Sequence, residues 1–237
     1  AGLIVLVFLP QPFQLPWVVL VSLLAFILSG LLLRDEMAGI ELLTLLALPT
    51  LFTLAVGMVL YYFSSFSLAF RTVFLILYAI SYYLMMLSEN IFNVGRERPI
   101  PLLKAAGTVS YLLTLLTAFL LFTVIYKTDW PPFWQIAGIG LMVFILALQS
   151  LWTVVLGSSL NDQVLQGSIL LTILMLELTL GLSFMPFESF FRALALSTGF
   201  YVVIGTAYNY LRKTLKERIF VEYAVVAAVV IFFLVML

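Results

Sequence analysis

Eight apolar stretches, each about as long as a bilayer is thick, restrict this chain to very few architectures. A hydrocarbon core of ~30 Å is crossed by about 20 helical residues. Residues 17–33, 40–62, 67–88, 103–126, 133–157, 164–185, 188–211 and 219–237 approach or exceed that length. Inside lipid the backbone has no water to bond, so only helices and closed barrels cross it. The strand-like alternation of a barrel is absent. The expected fold is therefore all-α: a polytopic transmembrane helical bundle of eight full spans, with residues 1–9 forming the end of a truncated N-terminal helix. The whole chain, 1–237, reads as one transmembrane domain.

Composition supports lipid as the solvent. Hydrophobic residues make up 65% of the chain and charged residues 9%, against ~45–50% and ~25% in an ordinary globular domain. Net charge is zero, which gives no electrostatic basis for binding nucleic acid. The chain has no Cys and no His. It therefore lacks disulfides, thiolate sites, and the usual ligands of zinc and haem. No metal and no cofactor is expected. The chain opens AGLIVLVFLP, without an initiator Met or a basic leader, as expected of a trimmed form.

Orientation follows from Lys and Arg. Arg34, Arg96, Arg98, Lys104, Arg212, Lys213, Lys216 and Arg218 belong to one set of connections; Arg71, Lys127 and Arg192 belong to the other. Positive residues stay inside. The chain is therefore expected to be integral to a cytoplasmic-type membrane, with loops 34–40, 89–103, 158–163 and 212–218 on the cytoplasmic side. Thr128, Asp129 and Pro131 read as caps for the span at 133, and Trp17, Trp130 and Trp134 as headgroup anchors.

Three alignments in chain order point to a tandem four-helix repeat. Residues 1–17 match 118–134 at a shift of 117, Phe26-Ile27-Leu28 matches Phe144-Ile145-Leu146 at 118, and Phe66, Phe70 and Arg71 match Phe187, Phe191 and Arg192 at 121. The repeat units would be 1–88 and 103–211, with 219–237 as an extra helix. An even number of helices per unit makes such repeats parallel.

Chemistry inside lipid is sought first at ionisable residues, which cost about 2.5–3.5 kcal/mol there unless partnered. Glu177, in LTILMLELTLG, is the clearest. Arg71 and Arg192 enter from the same side and are candidate ion-pair partners. Tyr78, Tyr82 and Glu89 continue a stripe from Arg71, and Tyr201 lies on a similar stripe after Arg192; both suit a bundle interior as well as a substrate path. The connection SENIFNVGRERPIPLLK (88–104) gathers Glu89, Arg96, Arg98 and Lys104, a set suited to lipid phosphate or a cytosolic partner. Pro49 is expected to kink its span.

Catalytic signatures are missing. Asp35, Asp129 and Asp162 all lie in connections, so there is no intramembrane Asp pair, and GSS at 157–159 has no neighbouring base. The leading function is a non-catalytic membrane component: a scaffold, assembly factor or subunit packing against other membrane proteins. The alternatives are a secondary transporter or channel using Glu177, and a lipid-handling enzyme at the cytosolic face.

Overall fold

A computed structural model describes residues 2–33, 40–95, 101–128, 130–156 and 161–236. The described residues are helical, with no strand among them. The helices are α1 (Gly2–Leu6), α2 (Gln11–Leu33), α3 (Ile40–Tyr62), α4 (Leu68–Gly95), α5 (Leu103–Lys127), α6 (Pro132–Val155), α7 (Asp162–Ser183), α8 (Ser189–Leu211) and α9 (Glu217–Met236). Among the described residues, seven helices, α2 to α8, include a stretch long and apolar enough to cross a membrane. The chain is thus an all-helical, multi-pass membrane protein. The eighth expected span coincides with α9, whose first two turns hold Glu217, Arg218 and Glu222.

Helix boundaries depart from the apolar stretches in two instructive places. First, α2 begins at Gln11, six residues before the expected start. Trp17 lies inside it, with its indole N–H donating to the Gly2 carbonyl at 2.9 Å. Second, α4 continues to Gly95, so the first half of the expected 88–104 connection is helix. Met85, Ser88, Glu89, Phe92 and Asn93 are buried at helical spacing, and this stripe carries the helix past the end of the apolar run. Thr128 does not cap α6; its hydroxyl donates back to the Ile125 carbonyl. Pro132 instead opens α6, where its missing N–H costs nothing. Asp129 lies outside the described residues. Asn161 caps α7 by accepting from the Gln163 N–H at 3.1 Å. Helix α3 runs unbroken through Pro49.

The helices form two compact units, Ala1–Leu120 and Leu121–Leu237, with the division falling inside α5. In the first unit α2 packs along α3, and α4 lies against α3. Gly57 permits the closest approach: a Cβ there would sit 2.7 Å from a Val18 methyl and 3.3 Å from Leu3. In the second unit α6 packs along α7, which meets α8, and α8 meets α9. Gly140 faces Leu176 there, again too close for a side chain, at 2.8 Å.

Several buried hydroxyls are satisfied within their own helices. Ser22, Thr53, Thr114, Thr117, Ser168 and Thr179 each donate to the carbonyl four residues earlier, at 2.7–2.8 Å. Such back-bonding removes the cost of an orphaned donor in an apolar surrounding.

Candidate functional site

Glu177 is the residue on which the sequence places most weight, and its setting is unexpected. The buried face of α7 is Val164, Ser168, Leu171, Met175, Thr179 and Leu182. Glu177 points the other way, exposed among Ile173, Leu174, Leu178 and Leu180. It forms no hydrogen bond or ion pair among the described residues. At 1.5 Å per residue it lies about 9 Å inside the helix end at Ser183, well within an apolar span.

The two arginines are engaged with backbone. Arg192 sends a guanidinium nitrogen to the Met185 carbonyl at 3.2 Å, and Arg71 does the same to the Ser64 carbonyl. Each thus closes the connection in front of its own helix by reaching back seven residues. The expected pairing of Glu177 with Arg192 is therefore not formed. A guanidinium has five donors in a fixed fork, and the free carbonyls before a helix are suitable acceptors.

The tyrosine stripe of α4 is a packing device. The hydroxyls of Tyr78 and Thr53 lie 3.0 Å apart, and those of Tyr82 and Ser29 lie 2.9 Å apart. Tyr78 also stacks on Phe52, with ring centroids 5.5 Å apart. Tyr201 meets Tyr223 of α9 edge-on at 5.1 Å. Of the cytosolic-loop candidates, Glu89 is completely buried on α4 and Lys104 is exposed on the first turn of α5. Arg96 and Arg98 lie outside the described residues. Among the described residues, no three acidic side chains come together to hold a metal ion.

Sequence reasoning missed a groove in the second unit. Its volume is about 590 Å³, and it runs between α7 and α8. Leu170 and Leu174 line its apolar length; Gln163, Gln166, Thr206 and Tyr210 line the end where α7 begins and α8 finishes. The available signal was the pair of glutamines three residues apart, opening an otherwise apolar helix.

The description "protein of unknown function (DUF5656)" belongs to the family that matches residues 4–237, nearly the full length. This chain is a member of that DUF5656 family. The match runs through both units, so the Glu177 face and the α7–α8 groove both lie within the DUF5656 region. No curated protein and no solved structure matches.

Proposed function

We propose that this DUF5656 protein is a non-catalytic component of a membrane assembly, and that the α7 face around Glu177 docks a partner span. The observation carrying this reading is the exposed, unpartnered carboxyl of Glu177 on an apolar helix face. A carboxyl facing lipid costs about 2.5–3.5 kcal/mol; a partner span with a hydrogen-bond donor or cation at that depth removes the cost. Intramembrane transport through Glu177 has less support, because the carboxyl lies outside the groove beside it. The basic connections orient the chain with loops 34–40, 89–103, 158–163 and 212–218 toward the cytoplasm.

A photo-crosslinking amino acid at Ile173 tests the docking face in native membranes. The expected result is a discrete adduct with one membrane protein, lost on Glu177→Leu and retained on Glu177→Gln if the contact is a hydrogen bond. Labelling of lipid alone, unchanged by Glu177→Leu, overturns the reading.

The parallel tandem repeat also belongs to this proposal, with a constant shift of 121 replacing the drifting one. Helix starts at 11 and 132, and at 68 and 189, share that spacing, as do helix ends at 6 and 127, and at 62 and 183. Gln14 and Gln135 both donate to carbonyls of the preceding connection. Arg71 and Arg192 make the same seven-residue return. Gly30 faces Leu46 in one unit, while Leu151 faces Gly167 in the other; the glycine changes sides and the contact persists. An experimental structure in which 11–62 superposed on 132–183 only in another register would remove this support.

A further inference from the structure

The α7–α8 groove has the chemistry of an amphiphile site. Along most of its length it offers leucine and valine side chains, and only one end is polar. Its volume of about 590 Å³ falls within the ~300–1,000 Å³ typical of ligand pockets. At the polar end the chain leaves α8 in a basic turn, Arg212-Lys213-Thr214-Leu215-Lys216, and Tyr210, Leu211 and Leu215 themselves line the groove. Arg212 is committed to the face of Tyr208 at 4.4 Å, and Arg218 is paired with Glu222 at 3.6 Å. Lys213 and Lys216 are exposed and have no ion pair among the described residues.

The turn fixes the backbone at Lys213. Lys213 has φ 56°, the left-handed conformation that glycine normally supplies at a helix end. Its N–H donates to the Tyr210 carbonyl at 3.0 Å, and the Thr214 N–H to the Asn209 carbonyl at 3.0 Å. The side chain of Asn209 accepts from the Thr214 hydroxyl at 3.0 Å and donates to the Tyr223 hydroxyl of α9 at 3.1 Å. A cation thus occupies a conformation where a side chain is disfavoured, beside the polar end of an apolar groove.

We propose that this groove binds an anionic glycerophospholipid, with an acyl chain along Leu170 and Leu174, the glycerol ester region at Gln163, Gln166 and Tyr210, and the headgroup phosphate at Lys213 and Lys216. Glu177 itself is not part of the groove lining, and Leu174 borders both the groove and the docking face. If the units are copies shifted by 121 residues, Tyr82 and Met85 hold the positions of Val203 and Thr206. Met85 is completely buried and Tyr82 is bonded to Ser29. Larger side chains would then fill in the first unit the space that is left open in the second.

Native mass spectrometry of the full chain, released from detergent with dioleoyl-phosphatidylglycerol or dioleoyl-phosphatidylcholine, tests the assignment. Phosphatidylglycerol should be retained in preference to phosphatidylcholine. Lys213→Gly with Lys216→Gln should weaken its retention about fivefold per charge removed, and the thermal midpoint should not fall, because glycine suits the left-handed turn. Val203→Tyr with Thr206→Met should close the groove and abolish retention of both lipids. Equal retention of the two lipids by the unmodified chain overturns the headgroup assignment. Phosphatidylglycerol retention unaffected by a folded groove-filling variant reduces the contact to surface adhesion at the lysines and overturns the groove. Should the filled variant not fold, retention unchanged by the lysine pair of substitutions overturns the site by itself.

Discussion

Gly57 and Glu177 are single residues at opposite extremes of burial, and both have measurable consequences. A Cβ at Gly57 would meet Val18 at 2.7 Å, so Gly57→Val should lower stability in detergent by about 1–3 kcal/mol, the usual cost of overpacking. Val18→Ala in the same chain should restore most of that loss in a thermal melt. A destabilisation of equal size with and without Val18→Ala would mean that the close approach is not the cause. At Glu177 the sign reverses. Glu177→Leu removes a lipid-facing carboxyl and should favour insertion of an isolated α7 by about 3 kcal/mol, as read in a glycosylation-based insertion assay. The outward aim of Glu177 was not legible in the sequence, because the leucines, isoleucine and methionine of LTILMLELTLG fall on every face and give no apolar periodicity to separate lipid from core. Only Ser168 and Thr179, small and polar within the buried stripe, marked the inner face. The arginine contacts were equally hidden, since a backbone carbonyl leaves no trace in residue type.

At the level of the element, the tyrosines of α4 convert a polar stripe into helix contacts. The Tyr82–Ser29 and Tyr78–Thr53 hydroxyl pairs join α4 to α2 and α3. Interhelical hydrogen bonds in membranes average about 0.6 kcal/mol. Tyr82→Phe and Ser29→Ala should therefore each destabilise mildly, with a coupling of about that size in a double-mutant cycle. Additive effects would show that the hydroxyls do not interact. Spans were legible because lipid demands apolar length, whereas their ends were less so. The polar run SENIFNVG looks like a connection by composition. It is helical because Ser88, Glu89, Phe92 and Asn93 extend the buried stripe of Met85. The groove was hidden for a related reason: the absence of bulk at Val203 and Thr206 becomes visible only against neighbouring helices.

Across the molecule, the absence of native Cys makes topology directly measurable. Single cysteines at Trp130, Lys213 and Met236 should react with a membrane-impermeant maleimide from the outside, only after permeabilisation, and from the outside, respectively. Protection of Met236→Cys together with Lys213→Cys would mean that α9 does not cross. Labelling of Lys213→Cys in intact cells would reverse the orientation. At 20 residues, α9 is about 30 Å long, enough to traverse a hydrocarbon core.

The length of α4 has a further consequence. Its 28 residues extend about 42 Å, some 12 Å beyond a bilayer core of ~30 Å, and its final turns are polar. Helix α7, with 22 residues, extends about 33 Å and has little surplus. Hydrophobic mismatch is therefore unevenly distributed: a thicker bilayer can cover more of α4, whereas α7 must draw its ends inward or thin the lipid around it. Membrane thickness therefore acts less on α4 than on the shorter helices, among them α7, which carries Glu177.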